Sequence, residues 1–489
     1  MAAWVLALLS LAAGPRADAG PSLDERERVA GQVEDFFDQE VCARYKAGVH
    51  ALPLAVASPS VGLGLDGLAL VSSCSVRPIA LSPSSPFQAR LVWEVEARDA
   101  QGQRCVESGE GEAQLTLEAK RWHWDALQMK THRRVCRPAR RFTEVAAAVG
   151  LVVPPVGNET FETGALFQGG LAVRDFDGDG KPDVIAVTAR QAYLFHNEGE
   201  RFSRTPLGPP SPPGSTYAMP VVGDFDGDGW PDVVLLARGE ASSNLVFRNA
   251  GGALQLAGRL PLGGAFQAGV ATDLDGDGHL DLVVLGYPVG PAVDDGLEAT
   301  NGEVPHFLFG DGKLGFTERP LPPDLQRRRY GLAAIAADIT GRGRQEIYVA
   351  NDYGSHDLWW LDDAGHFHES AGAVGLLDPG NGMSADLGDI DSSGRASLYV
   401  ANMFSKAGER VIQAAPVDEA LRRRLEKFAH GNTLYSPLPD GGFAEHAEAL
   451  GINRGLWAFG SIFADYDNDG RLDVAVADGF LSQPRRKDL

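Results

Sequence analysis

The apolar positions of this chain follow two successive patterns. Early on they recur at helical spacing: Val29, Val33, Phe36, Phe37 and Val41 lie behind a Ser22/Glu25 capping box and ahead of Gly48. That predicts one amphipathic helix. Further along, Phe87, Ala89, Leu91, Trp93, Val95 and Ala97 alternate with polar residues, and Ala113, Leu115, Leu117 and Ala119 do so again. A period of two marks strands with one buried face. Trp122 and Trp124 continue the alternation around His123 and read as core rather than as a ligand pocket. Residues 20–138 are therefore expected to form a small α+β domain.

After Pro138 the apolar runs shorten and repeat with a period near 50 residues, the size of one propeller blade. Each repeat is anchored by an Asp-rich loop: Asp175 (D-F-D-G-D-G-K-P-D), Asp224 (D-F-D-G-D-G-W-P-D), Asp273 (D-L-D-G-D-G-H-L-D), Asp338 (D-I-T-G-R-G-R-Q-E), Asp389 (D-I-D-S-S-G-R-A-S) and Asp465 (D-Y-D-N-D-G-R-L-D). A Gly/Pro-rich insertion at 286–305 lengthens the third interval. A helix carrying Leu421, Leu425 and Phe428 lengthens the fifth. A strand follows every loop, as at 184–187 and 233–236, and a third strand ending in a turn is predicted in five repeats. The element F-x-E-x-A-x-x-x-G recurs at Phe142, Phe367 and Phe443. Its first copy precedes the first loop and is placed to supply an outer strand to the last blade, closing the ring. The sixth repeat lacks a third strand, so the native chain is expected to run past Leu489. Residues 139–489 thus predict a mainly β fold, a β-propeller of six or seven blades.

The loops carry the candidate chemistry. Asp at positions 1, 3, 5 and 9 can point oxygen at one centre, glycine at 4 and 6 permits the turn, and the carbonyl of position 7 can complete the shell. An all-oxygen, carboxylate-rich set on a flexible loop favours Ca²⁺ over octahedral Mg²⁺. Four loops are complete: Asp175, Asp177, Asp179, Lys181 and Asp183; Asp224, Asp226, Asp228, Trp230 and Asp232; Asp273, Asp275, Asp277, His279 and Asp281; Asp465, Asp467, Asp469, Arg471 and Asp473. A fifth keeps Asp389 and Asp391 but has Ser393 and Ser397, which predicts weak binding. The loop at Asp338 has Thr340 and Arg342 at positions 3 and 5, which predicts no metal and an arginine cation in its place. An EF-hand needs a bidentate Glu at position 12, where this chain has Ala186, Leu235, Val284 and Val476.

Sixty-six acidic against 44 basic residues give a net charge of −22, which disfavours nucleic acid and anionic membranes as partners. Residues 5–13 have the length of a signal-peptide core, with Ala17-Asp18-Ala19 as a cleavage site, so residues 1–19 are read as a signal peptide and the protein as secreted, extracellular or periplasmic. No membrane span is predicted. Cys42, Cys74, Cys105 and Cys136 then read as two disulfides, with three connectivities open.

Loops and strands together resemble FG-GAP/VCBS repeats, the calcium-loop blades of integrin α-subunit heads. Phe367 to Asn402 (F-H-E-S-A-G-A-V-G-L…G-N-G-M-S-A-D-L-G-D-I-D…L-Y-V-A-N) is similar to the bacterial and cartilage-acidic-protein group that often carries a C-terminal ASPIC/UnbV domain. That domain is absent from this sequence. The resemblance implies a calcium-dependent propeller used for adhesion, assembly or, in some members, catalysis.

The sequence contains no G-x-S-x-G, H-E-x-x-H or G-x-x-x-x-G-K-[ST] motif. His366 and His368 could be a ligand pair, but no third ligand is evident and they read as an exposed strand pair; Arg327–Arg329 and Arg422–Arg424 read as solvated faces, with a rim contact for an acidic partner as the alternative. The expected function is a non-enzymatic scaffold that binds a protein or glycan on a propeller face. A propeller hydrolase or lyase acting on a polymer is the alternative. It requires His306, His356 or His430 to meet a carboxylate at the central channel.

Overall fold

The computed structural model describes residues 23–37, 39, 42, 68–82, 85–99, 101, 103–118, 121–137, 143–154, 169–239, 244–260, 262–288, 293–404, 412, 417–455 and 457–478. The predicted signal peptide, Ser22 and Phe142 lie outside them. The chain divides into two compact units, residues 1–143 with 405–429 and 487–489, and residues 144–404 with 430–486.

In the first unit the helical spacing produces a helix over Leu23–Phe37, whose Val33 and Phe37 are fully buried. They join Trp93, Val95, Ala97 and Leu115 in one core. The sheet is an antiparallel meander of β1 (Leu68–Leu81), β2 (Phe87–Asp99), β3 (Arg104–Glu118) and β4 (Arg121–Arg137). β2 buries Ala89, Leu91, Trp93, Val95 and Ala97 and turns Arg90 and Glu94 outward, as period two requires. Two disulfides form, Cys42–Cys74 and Cys105–Cys136, the second between directly opposed residues of β3 and β4. The helix expected near Leu421 spans Glu419–Ala429, with Leu425 and Phe428 buried.

The second unit is a row of antiparallel sheets. The first comprises β5 (Leu171–Arg174), β6 (Asp183–Val187), β7 (Ala192–Asn197) and β8 (Phe202–Leu207). The second comprises β9 (Ser215–Gly223), β10 (Asp232–Gly239), β11 (Leu245–Asn249) and β12 (Leu254–Arg259). The third comprises β13 (Phe266–Thr272), β14 (Asp281–Gly286), β15 (His306–Gly310) and β16 (Phe316–Glu318). The fourth comprises β17 (Tyr330–Ala337), β18 (Glu346–Asp352), β20 (Asp357–Leu361) and β21 (Phe367–Glu369), while β19 (Gly354–Ser355) pairs with β22 (Pro379–Gly380). The fifth comprises β23 (Gly382–Gly388), β24 (Ser397–Asn402), β25 (Thr433–Pro437) and β26 (Phe443–Glu445). Among the described residues the sixth holds β27 (Ala458–Ala464) and β28 (Asp473–Asp478).

The first strands of successive sheets lie against one another, β5 on β9, β9 on β13, β13 on β17, β17 on β23 and β23 on β27. This is the packing of propeller blades around an axis. Apolar side chains from facing sheets fill the spaces between them: Phe176, Ile185 and Val187 of the first repeat meet Tyr217, Val233 and Leu235 of the second.

The F-x-E-x-A-x-x-x-G element has a mechanical explanation. The Glu carboxylate accepts the amide of the Ala two residues on, at 2.6 Å in Glu144/Ala146, 2.8 Å in Glu369/Ala371 and 2.6 Å in Glu445/Ala447. A one-turn helix follows and ends on a left-handed glycine, Gly150, Gly375 or Gly451. A Cβ at Gly150 would stand 2.6 Å from the carbonyl oxygen of Phe202, and one at Gly375 2.9 Å from that of Phe443. The first copy therefore sits beside the first sheet as the second sits beside the fifth.

Candidate metal centres

All six Asp-rich loops join the first strand of a sheet to its second. In each, the position-1 carboxylate accepts the amide of the position-6 glycine: Gly180 to Asp175 at 2.8 Å, Gly229 to Asp224 at 2.9 Å, Gly278 to Asp273 at 3.0 Å, Gly343 to Asp338 at 2.9 Å, Gly394 to Asp389 at 2.8 Å and Gly470 to Asp465 at 2.9 Å. Position 4 is left-handed throughout, which is why glycine dominates there and why Asn468, at φ 57°, is the substitute in the last loop. The apolar residue at position 2 anchors the turn: Phe176, Phe225, Leu274 and Ile339 are all buried.

Position 9 opens the second strand, and its carboxylate ties the loop to the third. Asp183 accepts the amides of Phe176 and Asn197, Asp232 those of Phe225 and Asn249, and Asp281 those of Leu274 and Gly310. Burial of Asp232 and Asp281, against which these amides act, pushes each carboxyl up to about 6. The neighbouring aspartates add to the rise. At position 7, Lys181, Trp230, His279 and Arg471 donate their amides to the position-5 carboxylates Asp179, Asp228, Asp277 and Asp469.

The donor sets fit a divalent ion. Asp175, Asp177 and Asp179 offer three ligand oxygens within 4.8 Å of one another, as do Asp224, Asp226 and Asp232, and Asp273, Asp275 and Asp281. Asp467 and Asp473 stand on the last loop, where Asp473 accepts the amide of Tyr466 at 3.1 Å. In the fifth loop Asp391 accepts the Ser393 amide, while the Ser397 hydroxyl lies 3.1 Å from that of Ser436. The fourth loop has an internal cation: Arg342 donates to the fully buried Glu346 at 2.8 Å, and the Thr340 hydroxyl to the same oxygen at 2.7 Å.

The third strands bring residues to the loops that sequence spacing did not reveal. His196 of β7 faces Asp177 and Asp183; Arg248, at the matching place on β11, pairs with Asp226 at 2.5 Å and Asp228 at 2.9 Å. Arg319, just past the fourth strand β16 of the third sheet, approaches Asp275 at 3.6 Å and lies 3.8 Å above the Phe309 ring. The signal available in the sequence was position, since His196 and Arg248 each precede the asparagine that ends the third strand. A cleft of about 890 Å³ opens beside the third loop, lined among others by Asp275, Asp277, Arg319, Arg344 and Asp362.

Outside the loops, the His366 and His368 side chains are exposed, as expected of them. His366 and His368 do acquire a shared partner, Asp362, at 3.2 and 3.1 Å, and His368 stacks on Trp360. Of Arg327–Arg329, the Arg327 and Arg328 side chains are exposed as expected, although Arg327 also bonds the buried Asp357 and Glu369; Arg329 departs from expectation and is largely buried against Glu298 of the insertion. His306 pairs with Glu318, His356 lies 4.0 Å from Asp378, and His430 is 4.0 Å from Glu448. Each has its own carboxylate.

The FG-GAP-like repeat family matches residues 175–235 and 224–284. No curated protein is similar in sequence at a significant level. Among solved structures, an Agrocybe aegerita lectin that recognises non-reducing terminal N-acetylglucosamine has a TM-score of 0.38 and 15% identity, over 63% of this chain and 74% of the lectin. The V. cholerae biofilm matrix protein Bap1 gives 0.30 and 14%, over 57% and 38%. A Penicillium chrysogenum α-L-arabinanase complexed with arabinobiose gives 0.34 and 11%, over 66% and 87%.

Proposed function

Residues 175–284 are FG-GAP-like repeats, and on that premise we propose that the protein is an exported calcium-binding β-propeller that serves as a binding or assembly scaffold. The observation that carries this reading is the convergence of three carboxylates on single points within the turns. Carboxylates so placed repel one another and raise each other's proton affinity unless a cation sits among them. Oxygen-only ligation on a turn favours Ca²⁺. The complete loops at Asp175, Asp224, Asp273 and Asp465 are the main sites, the loop at Asp389 a weak one, and the Asp338 loop supplies its own cation. Calcium would fix the turns between first and second strands, and a protein or glycan would dock on a propeller face. The cleft with Arg319 over Phe309 beside the third loop offers charge and an aromatic surface for that purpose.

Two disulfides accord with an oxidising compartment. Among the described residues no helix is long and apolar enough to cross a membrane. Calorimetric titration of the chelator-stripped full chain tests the reading. About four equivalents of Ca²⁺ are expected, with one lost on each of Asp175→Asn, Asp224→Asn, Asp273→Asn and Asp465→Asn, and Mg²⁺ failing to substitute. Absence of calcium uptake would sink it.

A further inference from the structure

The first loop differs from the others in having an imidazole aimed at it. His196 Nδ1 is 3.5 Å from Asp177 Oδ2 and 3.7 Å from Asp183 Oδ1, and the three ligand atoms lie within 4.8 Å of one another. Ligands about 2.0–2.2 Å from a common ion stand roughly 3–4 Å apart, so the spacing suits coordination. The Nδ1 atom is buried and makes no hydrogen bond, and the Asp183 side chain is 1% exposed. A buried, unpartnered ring nitrogen between two carboxylates leaves one place for a cation. Lys181 meanwhile pairs with the position-5 carboxylate, Asp179, at 2.5 Å and occupies one of its oxygens. In the second loop Arg248 fills the place of His196 and is already a cation.

We propose that Asp177, Asp183 and His196 form a mixed nitrogen and oxygen site that takes a first-row divalent ion of the Zn²⁺ or Co²⁺ type in preference to Ca²⁺. This assignment rests on the reading of the loops as metal sites and changes the identity of one ion. Calcium is a hard ion that gathers oxygen ligands, whereas imidazole favours the borderline metals. One chain would then hold two metals, with calcium on the oxygen-only loops and a transition ion on the first.

The test uses the untagged, chelator-stripped full chain in millimolar Ca²⁺, titrated with Co²⁺ and followed by its ligand-field absorption. The expected result is one equivalent of bound Co²⁺, displaced by Zn²⁺ and weakened roughly tenfold or more in His196→Gln, whose circular dichroism in chelator matches the parent. Arg248→His should install a second equivalent on the next loop, and His368→Gln should leave the signal intact. Co²⁺ binding that is unchanged in His196→Gln, lost in His368→Gln or abolished by calcium would overturn the assignment. Calcium stoichiometry in the same samples keeps the two readings apart. If the oxygen loops take calcium while His196→Gln has no effect, only this proposal fails; if no loop takes calcium, the earlier one fails.

Discussion

The second and fourth loops share one backbone and differ in what faces the buried carboxylate. Both close with the position-6 amide on the position-1 aspartate at 2.9 Å. Both bury the position-9 side chain completely, Asp232 in one and Glu346 in the other. In the fourth loop Glu346 receives the Thr340 amide, the Thr340 hydroxyl and the Arg342 guanidinium, a full set of donors with a charge among them. Asp232 receives two amides and no cation, and burial pushes its carboxyl up to about 6. The turn itself does not require an ion, since the fourth loop makes it with arginine. On the proposed reading, the uncompensated carboxylate at the base of the second strand is what calls for an ion, and Arg342 takes in the fourth loop the place that calcium would hold in the second.

Breaking the exempt loop gives the largest effect. Arg342→Met removes the charge opposite a fully buried Glu346, and loss of one partner from a buried pair costs about 3 kcal/mol. Urea unfolding should show that loss equally with calcium and with chelator, because no metal site is touched. A penalty erased by calcium would mean that the fourth loop also binds the ion and that the contrast is false.

The ordinary loop should respond in opposite directions in the two conditions. Asp232→Asn in saturating calcium should lose about 1.4 kcal/mol for an ion held at ten times its dissociation constant. In chelator at neutral pH the same change should be neutral or stabilising, because it removes a buried charge without a partner. The pH dependence follows. A carboxyl whose folded pKa lies above its unfolded value takes up protons on folding, so the chelated parent should lose stability as pH rises from about 4 through 6 and not regain it above. Asp281, Asp352 and Asp357 are shifted the same way by burial and contribute to both proteins, so the difference between parent and Asp232→Asn isolates one group. Thermal midpoints across that range, with and without calcium, provide the check; a chelated variant less stable than the parent at pH 7 would refute the account.

Local grammar was readable in the sequence because turns and strands are local. The Asp-Gly turn, the apolar residue behind each first aspartate and the Glu-capped helix of the F-x-E element all depend on residues within nine positions, and the role of Arg342 toward Glu346 lies inside one loop. Pairings set by strand register were not readable. Cys105 meets Cys136 because β3 and β4 align them, and nothing in the spacing of four cysteines selects that partner. His196 reaches Asp183 because β6 pairs with β7, bringing Val184 opposite Phe195 and the next residue up to the loop. Arg329 was misjudged for the same reason: a triple arginine looks solvated until the fold supplies Glu298 from an insertion about thirty residues earlier.

The smallest effect concerns the residue that stands between the two kinds of loop. Arg248 is half exposed and reaches Asp226 and Asp228 from β11, outside the turn, whereas Arg342 lies within its loop and bonds a buried group. An exposed guanidinium on two carboxylates competes with a metal for the same oxygens but is weakly held and screened by salt. Arg248→Gln should therefore tighten calcium at the second loop by about two- to fivefold at low ionic strength, with the gap closing as salt is raised. Calcium titration of Arg248→Gln, compared with the Asp224→Asn protein to identify the loop, reads this directly. Weaker binding in the variant would show instead that Arg248 holds Asp226 and Asp228 in place for the ion, making it a support of the ordinary loop rather than a partial copy of the arginine in the exempt one.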